Sequence, residues 1–224
     1  MSEPYFNERP PRLYVKGLPE EERDAADTLF FLILDLDKYA CNFEAAINLF
    51  EFARAEALTA GHNQAVQWSF IAARDGAMTI YHFGQALQHM RNTLGLCPTV
   101  KSLVDPRVLR LAGKKFNSRF RDYESLRHAV AHSGDFWRQG VDVIRNAMKK
   151  LRVGPFVLVS KNAHVVIRES LLDRRFTTTI EGRQVSYEIS GETLKNLVGI
   201  KDEIFSAFRP AEKRLAELAS KTDP

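Results

Sequence analysis

Between Glu20 and Leu58, apolar residues recur at alternating steps of four and three. This spacing is the seam of a long amphipathic helix. The residues on the seam are Leu29, Ile33, Leu36, Ala40, Phe43, Ile47 and Phe50. The segment Gly61-His62-Asn63 ends this helix, and a second helix of similar length is predicted to end at Leu94, shortly before Pro98. Because a helix with one apolar side must bury that side, the chain is predicted to pack helix against helix.

Two further long helices are predicted. Asp105-Pro106 combines an N-cap residue with proline at the first helical position, which favours a third helix that runs to about His132. Residues 141–152 indicate a short basic helix. The fourth long helix is predicted to begin near Glu192 and to kink or break at Pro210. The apolar side of the second helix is predicted to carry Val66, Phe70, Ala73, Ala77, Ile80, Phe83, Leu87 and Met90.

Short, alternating, β-branched segments separate the third and fourth long helices. They read FVLVS, AHVVIRE, FTTTI and QVSYEI, and Glu181-Gly182-Arg183 between the last two is typical of a hairpin turn. The predicted fold class is therefore mainly α: a four-helix up-and-down bundle with a small antiparallel β-rich insertion at about residues 155–189. Residues 1–19 are rich in proline and predict an extended arm, and residues 20–224 form the predicted helical domain.

The composition favours a folded chain without a membrane segment. Hydrophobic residues make up 45% and charged residues 27%, which is typical of globular proteins. The longest apolar run, residues 29–34, is too short to span a bilayer, and the N-terminus lacks the apolar core of a signal peptide, so a cytoplasmic location is expected. Cys41 and Cys97 lack metal-ligand spacing, so reduced thiols, no metal site and no cofactor are expected.

The third predicted helix places Arg127 on its apolar side, about 20° from Phe116. Burial of an unpaired charge costs several kcal/mol, so the side chain needs a partner or a functional site. One interpretation is a structural ion pair, or a side chain that reaches water at the helix end. Asp75 on the second helix is the first carboxylate expected as a partner, and Glu44 and Asp37 are the next.

The opposite side of the same wheel is basic and lies within a sector of about 60°. It carries Arg107, Arg110, Lys114, Arg121, His128 and His132. One interpretation is an ordinary solvated face. The other is a nucleic-acid-binding row, because arginine and lysine bind phosphate and imidazoles move protons near neutral pH. A net charge of +4 is compatible with a polyanionic partner.

The segment Arg127-His-Ala-Val-Ala-His132 resembles the signature of the HEPN superfamily (higher eukaryote and prokaryote nucleotide-binding). In that signature a histidine follows an arginine within a few residues near a helix end, often with a polar residue directly after the arginine. The resemblance implies a four-helix up-and-down bundle and a metal-independent endoribonuclease. It also implies a homodimer and a role as a toxin, with an antitoxin protein as partner, or as a phage-defence effector.

The resemblance further implies a role for each motif residue. His132 would act as general acid or base, Arg127 would stabilise charge on the phosphate, and the product would be a 2′,3′-cyclic phosphate. His128 and Asp75 would be supporting residues. On an ideal helix, Arg127 and His132 point about 140° apart, so either the helix unwinds or two protomers share the site. The alternative to an RNA-cleaving enzyme is a non-catalytic helical module that binds nucleic acid or protein.

Overall fold

The computed structural model describes residues 8–60, 63–131, 140–148, 150–153, 156–159 and 165–222. In these residues the chain is mainly helical, with two small antiparallel sheets. The helices are α1 (Glu20–Ala60), α2 (Asn63–Leu94), α3 (Pro98–Leu103), α4 (Pro106–Arg119), α5 (Tyr123–Ala131), α6 (Gly140–Asn146) and α7 (Gly191–Thr222). The strands are β1 (Lys150–Val153), β2 (Phe156–Val159), β3 (Ser170–Leu172), β4 (Arg175–Ile180) and β5 (Arg183–Glu188). None of the described helices is long and apolar enough to cross a membrane.

The two long N-terminal helices follow their predicted seams. Along α1 every seam residue is buried except Ile47, which is half-buried. Along α2 the buried side includes Ile80, Phe83 and Met90, as predicted. Val66 was predicted to be buried and is 45% exposed, so the seam of α2 begins later than the sequence indicated.

The prediction of one third helix up to His132 is wrong, because two helices, α4 and α5, share that stretch. The chain leaves the helical conformation at Phe120, with φ −120° and ψ 49°, while its N–H still bonds the carbonyl of Phe116. Both rings are buried, and their centroids lie 5.1 Å apart. The break therefore keeps Phe120 in the core while the backbone turns. Because α4 and α5 are separate helices, one helical wheel cannot be drawn through both. The prediction that His128 of α5 lies on the same side as Arg107, Arg110 and Lys114 of α4 therefore loses its basis.

Of the kink or break predicted at Pro210, the break is wrong. Helix α7 continues through Pro210 to Thr222. Proline in a helix interior removes one backbone hydrogen bond and crowds the preceding turn. Here the turns on both sides bury Phe208, Ala211 and Leu215, and this burial offsets the local cost.

The β-rich part forms two antiparallel sheets, one of β1 and β2 and one ordered β3-β4-β5. The hairpin between β4 and β5 turns at Glu181 and Gly182, both with positive φ (49° and 69°), as a two-residue hairpin with right-handed strand twist requires. In the predicted β segment 163–169, the described residues form no strand: Val165 makes an isolated bridge with Met148, and the Ile167 carbonyl accepts from the Thr179 backbone N–H at 2.9 Å. The predicted basic helix at 141–152 is instead α6 followed by strand β1.

Contacts between Cα atoms divide the chain into two compact units. The first contains Met1–Cys41, His82–Arg121 and Leu194–Pro224. In this unit the described part of the N-terminal arm packs on α7. The Arg9 guanidinium bonds the Glu212 carboxylate at 2.7 Å, and the backbone N–H of Arg12 donates to the same oxygen at 3.0 Å.

The second unit contains Asn42–Tyr81 and Asp122–Thr193. Its three-stranded sheet packs against α1 and α2 through the buried rings of Tyr187, Phe176 and Phe43. The Tyr187 hydroxyl donates to the carbonyl of Ala73, so the buried polar tip of this ring is satisfied. The Arg74 Nε atom bonds the Glu169 carboxylate at 2.7 Å and ties α2 to the segment that precedes β3.

The N-terminus of α3 is capped by a carboxylate from α1. The Glu22 carboxylate accepts from the Thr99 backbone N–H (2.9 Å), the Thr99 hydroxyl (2.9 Å) and the Cys97 thiol (3.1 Å). Burial alone would raise the pKa of Glu22, but these hydrogen bonds outweigh burial and lower it. Burial, with Glu22 nearby, raises the pKa of Cys97 to about 11.

We expect Glu22→Ala to lower the free energy of unfolding by about 1–3 kcal/mol, because three donors at a partly buried helix end lose their acceptor. Because the folded-state pKa of Glu22 is depressed, this contribution is present at neutral pH and is lost as the pH falls through that pKa. Urea unfolding at pH 7 and at acidic pH measures both effects. The matched control is the exposed neighbour Glu21→Ala, which shares the position near the start of α1. Equal losses in the two variants would contradict the capping role.

Candidate functional site

Arg127 lies on α5 beside an aromatic ring of α2. Its guanidinium carbon is 5.2 Å from the centroid of the Tyr81 ring, within range of a cation–π interaction. The residue as a whole is half-buried. Its Nε atom is buried and has no hydrogen-bond partner among the residues that the structure describes. A buried donor without a partner is costly, and in a native structure it calls for a specific explanation.

Two more side chains are linked to the Tyr81 ring. The Tyr123 ring lies 6.2 Å from the Tyr81 ring, and the Tyr123 hydroxyl donates to the Glu124 carboxylate at 3.0 Å. We call Tyr81, Tyr123, Glu124 and Arg127 the Arg127 cluster. Burial, followed by the hydrogen bond to Glu124, raises the pKa of Tyr123 to about 12. Tyr123 is therefore a neutral donor at physiological pH.

The local sequence explains why Arg127 takes this position. Leu126 and Ala129 are the buried residues of α5, so the helix packs on their side. Arg127 follows Tyr123 by four residues, the spacing at which two side chains are neighbours on a helix. The guanidinium thus lies at the edge of the packed side, where the Tyr81 ring can contact it.

Tyr81, which the sequence reasoning missed, is the α2 residue in contact with Arg127. Asp75 was expected first as the partner, but it is exposed, and it acts on Tyr187: burial and the negative charge of Asp75 raise the pKa of the Tyr187 hydroxyl. The predicted apolar side of α2 includes Ala77 and Ile80, and Tyr81 directly follows Ile80. The presence of an aromatic residue at the border of the apolar side could have indicated a cation–π partner for Arg127.

Of the two histidines of the motif, the structure describes only His128. His128 is exposed on α5. His132 lies outside the described residues, as does the stretch up to Gln139. The distance between Arg127 and His132, on which the predicted chemistry depends, therefore stays a prediction.

The predicted nucleic-acid-binding residues lie in the first compact unit. Arg107, Arg110 and Lys114 are exposed on α4, and Arg121 is exposed in the turn that follows. Within the part of the chain that the structure describes, no carboxylate forms an ion pair with these four cations. The adjacent Lys115, in contrast, pairs with Glu203 of α7. The row on α4 thus presents positive charge that no described side chain neutralises.

The remaining polar candidates form no cluster with metal-ligand geometry. Among the described residues, no group of three His, Cys, Asp or Glu side chains could hold an ion. His82 stacks on Tyr39 with ring centroids 5.7 Å apart. Cys41 is exposed and Cys97 is buried, and neither forms a disulfide.

The chain was compared with family models, with curated proteins and with solved structures. None of the three comparisons gives a match.

Proposed function

We propose that this chain is a HEPN-like, metal-independent endoribonuclease in which Arg127 and His132 act on one phosphate of an RNA strand. The observation that carries the proposal is the Arg127 cluster. The half-buried guanidinium lies against the face of an aromatic ring, and among the described residues no carboxylate forms an ion pair with it and its Nε donor is unused. A charge kept in this state suits an anionic ligand that completes the site.

In the proposed reaction, His132 takes the proton of a ribose 2′-hydroxyl, and the 2′-oxygen attacks the adjacent phosphorus. The bond from phosphorus to the 5′-oxygen breaks, and the leaving oxygen gains a proton. The products are a 2′,3′-cyclic phosphate and a 5′-hydroxyl. Arg127 stabilises the negative charge that builds up on the phosphate oxygens. His128, next to Arg127 in the sequence, is proposed to support the site or to contact RNA.

Binding of the substrate is assigned to Arg107, Arg110, Lys114 and Arg121, which form no ion pair with a described carboxylate. Contacts of lysine and arginine with phosphate supply most sequence-independent affinity for nucleic acid. A cytoplasmic homodimer, a four-helix up-and-down arrangement of the long helices and an antitoxin partner belong to the same proposal. The dimer has a geometric reason, because residues five positions apart on a regular helix point about 140° apart.

A second candidate function is a non-catalytic nucleic-acid-binding module. The unpaired row on α4 favours it, because binding alone needs only that surface. In this alternative Arg127 is a structural cation held by Tyr81. The two functions differ in one observable, the cleavage of RNA.

The test is an RNA cleavage assay with purified protein in excess chelator. The proposal expects cleavage of single-stranded RNA and none of DNA, because DNA lacks the 2′-hydroxyl nucleophile. Binding of RNA without cleavage by the dimeric protein would overturn the enzyme and support the binding module. Loss of cleavage on chelation would overturn the metal-independent mechanism.

Replacement of the ring under Arg127 tests whether Tyr81 holds the guanidinium in place. We expect Tyr81→Leu to slow single-turnover cleavage by about 2- to 30-fold, the kinetic equivalent of a cation–π interaction worth about 0.5–2 kcal/mol. Tyr81→Phe keeps the ring and should stay close to wild type. A Tyr81→Leu enzyme with the wild-type rate, under conditions in which Arg127→Ala is inactive, would contradict the positioning role.

A further inference from the structure

Arg91 of α2 lies against the backbone of α4 at a glycine. A Cβ atom built at Gly113 would be 1.8 Å from a terminal nitrogen of Arg91 and 2.8 Å from its guanidinium carbon. The two residues line one small crevice with Leu87, Met90, Leu109 and Ile204. Arg91 is exposed, while Gly113 is buried beneath it. The absence of a side chain at position 113 is therefore what lets the guanidinium rest on α4.

The helical geometry of α4 places this guanidinium next to the basic row. Relative to Gly113, Arg110 is turned by about 60°, Lys114 by about 100° and Arg107 by about 120°, all in the same direction. Leu109 and Phe116 are turned the other way, toward the core. Gly113 marks the border between the buried side and the basic side, and Arg91 covers that border from α2. Four cations thus lie on one continuous strip.

The strip has no counter-charge of its own among the described residues. Helix α4 contains no Asp or Glu, and the N-cap carboxylate of Asp105 accepts from the backbone N–H groups of Arg107 and Val108. Arg110 has Arg107 three residues before it and Lys114 four residues after it, spacings at which like charges destabilise a helix. Neither Arg91 nor the three cations of α4 is paired with a described carboxylate. A ligand with several negative charges would relieve this repulsion.

We infer that Arg91 is a further phosphate-binding residue beside Arg107, Arg110 and Lys114 of α4, and that Gly113 is the position that leaves room for it in this row. The ligand is the sugar–phosphate backbone of single-stranded RNA, whose charges repeat along the strand and match a strip better than a single anion does. This inference rests on the proposed RNA-binding function. It extends the binding surface from α4 to the C-terminal part of α2, which contains Arg91 and belongs, like α4, to the first compact unit.

The experiment measures the salt dependence of binding to a 2′-O-methylated RNA oligonucleotide, which lacks the nucleophile and is not cleaved. For a single strand, each phosphate contact contributes about 0.7 to the slope of log affinity against log salt. Arg91→Ala is expected to reduce the slope by about 0.7 and to weaken binding about fivefold near 0.1 M salt. The matched control is Lys213→Ala, which removes an exposed cation of α7 and should leave the slope unchanged.

Gly113→Ala supplies a second variant, which removes no charge. Alanine is the better helix former, so α4 should fold, but the methyl group displaces Arg91. Binding should weaken in the wild-type background and should not weaken further in the Arg91→Ala background, because the residue being displaced is then absent. An additional loss in that background would overturn the role assigned to Gly113.

The outcomes separate this inference from the function on which it rests. If Arg110→Ala lowers the slope and Arg91→Ala does not, the inference is overturned while RNA binding by α4 stands. If Arg91→Ala and Lys213→Ala lower the slope equally, net charge alone explains the effect and the inference is overturned. If the wild-type protein does not bind the oligonucleotide at all, the proposed RNA-binding function itself fails.

Discussion

Replacement of Arg127 or of His132 by alanine is expected to lower the rate of RNA cleavage by about 10²–10⁴-fold. A positioned general acid or base contributes a factor of this size, and the loss of one preorganised donor to a developing anion costs a similar factor. For Arg127, the large effect is expected from its surroundings. The guanidinium lies over the Tyr81 ring, and its buried Nε donor is unused among the described residues, so that it can bind a phosphate oxygen. Single-turnover assays of the purified variants in excess chelator measure the change.

The controls for this prediction separate chemistry from folding and from contamination. Arg127→Lys keeps the charge but not the planar fork of donors, so it should recover only part of the rate. Arg214→Ala and His89→Ala remove exposed residues of the same types elsewhere and should cleave like wild type. Circular dichroism of each variant checks that the fold is kept. Equal cleavage by wild type and both motif variants would identify a contaminating nuclease and remove the enzyme hypothesis.

The second large effect is expected at Lys201, a fully buried lysine of α7. Its Nζ atom lies 3.0 Å from the Asp37 carboxylate, 3.4 Å from Asp202 and 5.2 Å from the centre of the Phe205 ring. The contact with Asp202 is an ion pair without hydrogen-bond geometry, since that carboxylate oxygen has no hydrogen-bond partner. Burial raises the pKa of Asp202, and the charge of Lys201 opposes this rise.

We expect Lys201→Ala to lower the free energy of unfolding by about 3 kcal/mol. Removal of one member of a buried ion pair typically costs about 3–5 kcal/mol, and the lower end applies because both aspartates are about one-third exposed and can be rehydrated. Urea unfolding gives the value. Lys195→Ala, on an exposed part of the same helix, should change stability by less than about 0.5 kcal/mol. A Lys201 variant as stable as the Lys195 variant would show that the buried pair contributes nothing.

Much of the helical fold could be predicted because its signals are local. The seam of α1, the proline after the cap at Asp105 and the Glu181-Gly182 turn each act over a few residues. The break between α4 and α5 could not be predicted in this way. Phe116, Phe120 and Tyr123 keep steps of four and three across it, and neither glycine nor proline marks the turn. The apolar period alone therefore indicated one continuous helix.

The candidate site was predicted only in part, for a related reason. The wheel that placed Arg127 on the apolar side assumed one continuous helix from Phe116, and that helix is broken, so the half-buried position of Arg127 on α5 does not follow from it. The contact with Tyr81 joins residues far apart in the chain, which the local pattern around Arg127 does not indicate. The burial of Lys201 could have been predicted from the apolar spacing along α7. Lys201 follows Leu197 by four residues and precedes Phe205 by four, and all three lie on the buried side of the helix. Because lysine is rarely buried, its position in that seam was overlooked.

The chemical groups at the new RNA ends distinguish attack by the ribose 2′-hydroxyl from hydrolysis by water. A defined single-stranded RNA is incubated with the protein in excess chelator under single-turnover conditions, and the ends are identified by mass spectrometry. The account predicts a 2′,3′-cyclic phosphate on one fragment and a 5′-hydroxyl on the other, formed by the wild-type protein and not by Arg127→Ala. Fragments with a 5′-phosphate and a 3′-hydroxyl, or cyclic phosphate formed equally fast by Arg127→Ala, would contradict it.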